Sequence, residues 1–141
     1  MKPTVHTIAI VFAWSIIGCA AFPATSCSLY GGTGNDVFNG QIGTVNDPAS
    51  VKSGTVSFFL DAGAGSDRLE STANLTADSD ATISSVTVLM GKGNDATNLN
   101  YYSLGGAVLV DQLYDGGKGE DCYQGTIPAE LLPLINFEHL D

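Results

Sequence analysis

One five-residue pattern, with glycine at its first and third positions and aspartate at its fifth, occurs four times in this chain of 141 residues. The copies are GTGND, GAGSD, GKGND and GKGED, which end at Asp36, Asp67, Asp95 and Asp121. The aspartates are 31, 28 and 26 residues apart, which is within the range of solenoids and other repeat arrays. The chain must therefore return to the same edge of the molecule once in every repeat.

The segments that precede three of the motifs have the composition of β-strands. Residues 55–60 (TVSFFL), 86–90 (VTVLM) and 107–110 (AVLV) are rich in β-branched and apolar side chains. A single repeat would expose an apolar face and unpaired strand edges, whereas three or more stacked repeats bury the face and pair the edges. The sequence therefore predicts an all-β, right-handed parallel β-solenoid of the β-helix or β-roll kind. Each of about four coils in residues 27–141 would carry one motif.

Two further features of the solenoid follow from the sequence. The long spacing between motifs predicts large, three-sided coils with the motif on one edge. The C-terminal stretch 127–140 is rich in large apolar residues, and a solenoid needs such a cap to cover the open end of its stack. The residues predicted to form this apolar cap are Leu131, Leu132, Leu134, Ile135, Phe137 and Leu140.

The first and last motifs extend to nine residues that resemble a known repeat. Residues 31–39 (GGTGNDVFN) and 116–124 (GGKGEDCYQ) are similar to the nonapeptide G-G-x-G-x-D-x-U-x, with U apolar, of RTX or haemolysin-type calcium-binding repeats. The middle copies depart from it, since Ala62 and Met90 replace the first glycine and Thr97 takes the apolar position. In the familiar arrays two nonapeptides run in each coil, whereas here one motif occurs per repeat.

The resemblance implies a calcium site, and the chemistry of the motif suits one. Calcium takes six to eight oxygen ligands, and a glycine-rich corner can turn its carbonyls inward while the aspartate adds charge. One loop has too few oxygens, so stacked loops would share ions, with up to about three intercoil sites for four motifs. The predicted ligands are the side chains of Asp36, Asp67, Asp95 and Asp121 and the carbonyls of Gly32, Gly34, Gly63, Gly65, Gly91, Gly93, Gly117 and Gly119.

The aspartates also have an interpretation in which no ion takes part. Aspartate side chains in turns commonly accept hydrogen bonds from nearby backbone N–H groups. The unequal spacing, longest between the first two motifs, leaves open whether neighbouring motifs lie in register. Calcium dependence separates the two interpretations, because an ion that binds only the folded chain stabilises the fold.

The N-terminal residues 1–26 have the pattern of an export signal. Lys2 precedes an apolar run, residues 8–17, that is too short to span a bilayer as a mature helix. The sequence IIGC ending at Cys19 resembles the lipobox of bacterial lipoproteins, and ordinary cleavage a few residues later is the alternative. Both predict an exported domain, either secreted and extracellular or an outer-membrane-anchored lipoprotein that meets the membrane only through Cys19.

Export would permit a disulfide between the two remaining cysteines, Cys27 and Cys122. In the predicted solenoid these residues lie in the first and fourth coils. Since stacked strands are about 4.8 Å apart, the two cysteines would be beyond disulfide reach unless the N-terminal arm folds back. The pairing is therefore left open, with the stacking geometry against it.

The acidic composition narrows the functions that we expect. Fifteen Asp and Glu residues against five Lys and Arg give a net charge of -10, which disfavours nucleic acid and anionic membranes as partners. The two histidines, His6 and His139, provide little material for catalytic triads or zinc sites, so we do not predict an enzyme.

We expect instead an exported calcium-binding repeat protein with a structural or adhesive role at the cell surface, with calcium ions and cell-surface polysaccharide or protein as partners. The alternatives are a calcium-free β-rich surface interaction module and, from a different class, a small carbohydrate-active enzyme on a β-helix.

Overall fold

The computed structural model describes residues 5–9, 25–51, 54–80, 82–127, 129 and 132–141. Within these ranges the elements are all strands, and no helix has the length and apolar character needed to cross a membrane. In chain order the strands are β1 (Val5–Ala9), β2 (Thr25–Thr33), β3 (Asn35–Ile42), β4 (Thr55–Ala64), β5 (Arg68–Asn74), β6 (Thr82–Leu89), β7 (Ala96–Ser103), β8 (Val108–Asp115), β9 (Cys122–Gly125), β10 (Leu134–Ile135) and β11 (His139–Leu140).

The described strands form two parallel sheets. The first has the order β1-β3-β5-β7-β9-β11 and the second has the order β10-β8-β6-β4-β2. Successive strands of the chain alternate between the sheets, so each coil adds one strand to each sheet and stacks on the coil before it. This arrangement confirms the predicted all-β parallel β-solenoid, and it is consistent with the right-handed winding expected of parallel crossover connections.

The prediction of three-sided coils is wrong, because the described strands of each coil lie in two sheets only. The motif turns the chain from the second sheet directly into the first, and the strand after each motif begins immediately. The residues that would have formed a third side lie instead in the connections at the opposite edge, between β3 and β4, between β5 and β6 and between β7 and β8. We call this edge the loop edge and the edge with the four motifs the motif edge.

The core lies between the two sheets and is built from in-register rows of side chains. In the second sheet, Leu60, Val88 and Tyr114 are neighbours on adjacent strands, and each is at most 1% exposed. The facing row of the first sheet runs along β3, β5, β7 and β9 and consists of the residues two places after each motif aspartate, which are Phe38, Leu69, Thr97 and Tyr123. The motif therefore places its apolar position inside the core.

The C-terminal residues cover the last coil, but not with every side chain in the predicted cap. Leu132, Leu134 and Phe137 pack against the core, and β10 and β11 pair with the strands of the last motif-bearing coil. Ile135 and Leu140 are wrongly placed in the predicted cap, since they are 45% and 53% exposed. The reason is the alternation of side chains along a strand, which turns Ile135 outward when Leu134 points inward. Leu131 lies outside the described residues.

The predicted signal segment is described only in part. Val5–Ala9 pairs with β3 in the first sheet, and Thr25 begins β2. Residues 1–4 and 10–24, which include the lipobox-like sequence, lie outside the described residues, so the signal and the lipid anchor stay predictions. Cys122 is a free cysteine, in agreement with the stacking argument against a disulfide.

Candidate functional site

The four motifs lie one above another at the motif edge, in register from coil to coil. Parallel bridges join Ala64 to Lys92 and Lys92 to Lys118, so backbone pairing continues from the strands into the corners. The amide of Gly65 donates to the carbonyl of Lys92 at 2.8 Å, and the amide of Gly93 donates to the carbonyl of Lys118 at 2.8 Å. The unequal spacing of the motifs in the sequence therefore does not disturb their alignment.

Close backbone stacking explains why the motif contains glycines. A Cβ added at Gly93 would lie 1.4 Å from the carbonyl oxygen of Gly65, and one added at Gly65 would lie 1.6 Å from that of Gly34. The φ of Gly93 is +144°, which also disfavours a side chain. The eight predicted glycines thus occupy equivalent corner positions, and in the second, third and fourth corners the stack itself excludes larger residues.

The four motif aspartates form a continuous row, which we call the aspartate row. Oδ1 of Asp67 accepts a hydrogen bond from the backbone N–H of Asp36 at 2.8 Å, and Oδ1 of Asp95 accepts one from Asp67 at 2.7 Å. The same bond from the N–H of Asp95 to Oδ1 of Asp121 measures 2.8 Å. The carboxylates of Asp67, Asp95 and Asp121 therefore each link their own coil to the coil before it. No aspartate of the row is more than 2% exposed.

The second oxygen of these carboxylates has a different environment. Oδ2 of Asp67, Asp95 and Asp121 is buried and has no hydrogen-bond partner among the described residues. Burial raises the pKa of Asp95 to about 6, and repulsion by the neighbouring carboxylates of the row adds to the rise. Burial likewise raises the pKa of Asp67 and of Asp121. The fully ionised row is thus unfavourable without a compensating positive charge or protons.

The donor chemistry of the motif edge fits a hard cation such as calcium. The row offers one buried carboxylate per coil, and adjacent parallel strands are about 4.8 Å apart, about twice a calcium–oxygen distance. Within the described part of the chain no three His, Cys, Asp or Glu side chains converge, so an ion here would also need backbone carbonyls or water. The carbonyls of Gly63 and Gly91 already accept amides of the next coil, at 3.0 and 2.8 Å, but a carbonyl oxygen has two lone pairs.

Two asparagines that precede motif aspartates add a second set of intercoil bonds that the sequence interpretation missed. Oδ1 of Asn35 accepts the amide of Ser66 at 2.9 Å, and Oδ1 of Asn94 accepts the amide of Glu120 at 3.3 Å. The asparagine that precedes the aspartate in the copies GTGND and GKGND is the sequence feature from which these bonds could have been predicted. These bonds lie outside the aspartate row and strengthen the stacking of the corners.

The sequence interpretation also missed Glu138, which is in contact with the end of the row. Its Oε2 accepts the backbone N–H of Asp121 at 2.9 Å, as the last three motif aspartates do for the coil before them. Glu138 follows no Gly-x-Gly sequence, so a search for the motif cannot find it.

Comparison with known proteins gives no further guide to this site. No protein-family model matches the sequence, and neither the curated proteins nor the solved structures yield a match. The functional interpretation therefore depends on the motif and on the geometry of the motif edge.

Proposed function

We propose that this chain is an exported calcium-binding repeat protein, similar to RTX repeat proteins, whose solenoid is stabilised by calcium along the motif edge. The observation that supports this proposal most is the set of buried Oδ2 atoms of Asp67, Asp95 and Asp121, which have no partner in the described chain. Buried carboxylates in successive coils repel one another and lose hydration, and both costs fall when a divalent cation lies between them.

Calcium would supply positive charge at the motif edge, and the residues of this chain would supply its ligands. The aspartate row would provide one carboxylate per coil, and the glycine corners would provide carbonyl oxygens. Because the row exists only when the coils are stacked, binding would favour the folded chain over the unfolded chain. The role of the ion is thus structural.

The outer face of the first sheet supports an adhesive role at the cell surface. Asn39, Glu70, Asn98 and Gln124 are in-register neighbours across β3, β5, β7 and β9. Gln41, Thr72 and Asn100 form a parallel row two residues further along the same strands. Rows of amide, carboxylate and hydroxyl groups at strand spacing can form hydrogen bonds with the hydroxyls of a polysaccharide, although Oδ1 of Asn98 is buried and does not take part.

A second candidate, a calcium-free surface interaction module, is favoured by the hydrogen bonds of the Oδ1 atoms. Each of these bonds gives a motif aspartate a structural role that requires no ion. In this alternative the raised pKa of Asp95, about 6, allows the row to be partly protonated near neutral pH. The two candidates therefore differ in whether calcium changes stability.

Thermal unfolding and calorimetry of the full chain, in excess calcium and in chelator, test the proposal. We expect calcium to raise the melting temperature steeply and Asp67→Asn and Asp95→Asn to remove most of that rise. Asparagine retains an Oδ1 acceptor, so these variants preserve the intercoil hydrogen bond while removing the charge. Asp111→Asn is the matched control, since Asp111 is exposed on β8 and away from the row. Equal melting temperatures with and without calcium would favour the calcium-free module.

A further inference from the structure

The last turn of the chain repeats the geometry of the motif without repeating its sequence. Cys122 pairs with His139 and Tyr123 with Leu140, so Glu138 occupies the position in the last coil that Asp121 occupies in the coil before. Oε2 of Glu138 accepts the N–H of Asp121 at 2.9 Å, which is within 0.2 Å of the 2.7 Å bond from Asp67 to Asp95.

The corner that carries Glu138 is a shortened version of the motif corner. A Cβ added at Gly116 would lie 2.1 Å from the carbonyl oxygen of Asn136, just as one added at Gly31 would lie 2.2 Å from that of Ala62. Asn136 and Gly116 are thus equivalent positions, but only Phe137 separates Asn136 from Glu138. Asn136 makes the turn with a φ of +55°, a conformation that asparagine tolerates. The longer side chain of glutamate reaches the row from this shorter turn.

We infer that Glu138 is the fifth carboxylate of the row and that, together with Asp121, it forms a calcium site beyond those that the four motifs predict. The inference rests on the proposed function. Oδ2 of Asp121 supports it, because Asp121 is 0% exposed and this oxygen has no hydrogen-bond partner in the described chain. The four motifs give three spaces between successive aspartates, and Glu138 adds a fourth.

The site at Glu138 differs from the others in a way that can be measured. Its corner lacks the glycine loop that would supply carbonyl ligands, and Glu138 itself is exposed to solvent. More of its ligands must be water, so it is the weakest site of the row and the last to fill.

Native mass spectrometry and calorimetric titration of the full chain with calcium test this inference. We expect Glu138→Gln to bind one ion fewer than the wild type and to lose the weakest binding step. Its melting temperature in chelator should not fall, since the amide oxygen still accepts the N–H of Asp121 and the repulsion between Glu138 and Asp121 is removed. Glu120→Gln is the matched control, because Glu120 is an exposed acid on the neighbouring corner that contacts His139 at 3.3 Å. This control should keep the wild-type number of ions.

The possible results separate the two proposals. If the wild type binds calcium and Glu138→Gln binds the same number of ions with the same affinities, the inference is overturned while the proposed function stands. If the wild type binds none, both fail together. Should Glu138→Gln not fold, Glu138→Asp retains the charge on a shorter side chain. We then expect Glu138→Asp to weaken only the last calcium-binding step. Unchanged binding of calcium by this variant would again overturn the inference.

Discussion

The two edges of the solenoid connect the same two sheets by different means. At the motif edge every crossover uses the same backbone conformation, with glycines stacked on glycines and aspartates on aspartates. At the loop edge the connections share no sequence, and they shorten from 43–54 to 75–81 to 104–107. This order matches the decrease in motif spacing from 31 to 28 to 26 residues. The loop edge thus absorbs the differences in repeat length, which leaves the motif edge in register.

The loop edge is held together by individual contacts and not by a repeated one. The amide of Val51 donates to Oγ of Ser79 at 3.1 Å, and Ala49 forms a parallel bridge with Leu75. Val51 and Leu75 make a small buried cluster separate from the main core. The strand register also shifts by one residue between Val56 and Ser57 and between Ala73 and Asn74, next to the loop edge. The loop edge is therefore held together by different contacts in each coil, whereas the motif edge repeats one set of backbone contacts from corner to corner.

The largest effect that we expect is from Gly93→Ala at the motif edge. The new Cβ would meet the carbonyl oxygen of Gly65 at 1.4 Å, so the corners must separate, at a cost of roughly 4 kcal/mol in the free energy of unfolding. Gly32→Ala is the matched comparison. Gly32 has a φ of +100° but no atom within 4 Å of an added Cβ, so we expect only about 1 kcal/mol. Urea unfolding in chelator measures both, and equal losses would show that backbone conformation, not stacking, requires the glycines.

The second effect is a fall in the stability of the calcium-free chain as the pH rises. The pKa of Asp95 is about 6 in the folded chain against 3.8 ordinarily, so between these values the folded chain binds more protons than the unfolded chain. The stability that these protons give is present below about pH 4 and is lost as the pH rises through 6. The difference between the two pKa values corresponds to a loss of roughly 3 kcal/mol in the free energy of unfolding. With calcium bound, we expect the opposite trend, since protons then compete with the ion.

Urea unfolding in chelator at pH 4.5 and pH 7.5 measures this dependence. The Asp95→Asn variant is its control, because removal of the carboxyl should flatten the curve by the share that Asp95 contributes. If the wild type in chelator becomes more stable as the pH rises over this range, the aspartate row is not an unfavourable buried charge, and the main support for calcium is lost.

A smaller effect is expected at the loop edge from Ser79→Ala. Ser79 is 1% exposed, and its hydroxyl accepts the amide of Val51, which would be left buried without this acceptor. We expect a loss of about 2 kcal/mol that is the same in calcium and in chelator. Thermal unfolding under both conditions is the measurement. A calcium-dependent loss would mean that the loop edge and the motif edge are coupled and do not act independently.

The contrast between the edges also explains what the sequence could predict. The motif edge has a residue pattern because backbone contacts at 1.4 to 2.2 Å from an added Cβ exclude all residues but glycine, so the repeat and the solenoid were predictable from it. The two-sheet cross-section was not predictable, because it depends on how sharply the motif turns the chain. Composition predicts the strands before the last three motifs but not β2, which precedes the first. Those after the motifs are polar on their outer face, and β5 and β7 therefore gave a weaker signal.

The same reasoning accounts for the site. The repeat predicts that the aspartates lie on one edge but leaves their register open. The hydrogen bonds of Oδ1 of Asp67, Asp95 and Asp121 to the preceding coil, and the burial of their Oδ2 atoms, depend on a side-chain direction that spacing does not specify. Glu138 is the residue of the row that the sequence is least able to predict. It joins the row through a turn of different length and sequence, so only the strand pairing of His139 with Cys122 reveals its position.

The smallest effect that we expect is a gain in stability, and it tests the core that both edges enclose. Thr97 lies in the buried row between Leu69 and Tyr123, at the position that is apolar in the other coils, and it is 1% exposed. Its hydroxyl has no hydrogen-bond partner among the described residues. Thr97→Val removes this buried polar group at almost constant volume and retains the β-branched shape that suits a strand, so we expect about 1 kcal/mol of stabilisation. Thr97→Ser is the control, since it keeps the hydroxyl but loses the methyl group, and it should destabilise the chain. If valine also destabilises it in urea unfolding, the hydroxyl has a partner in solution, and the third coil is not packed like the others.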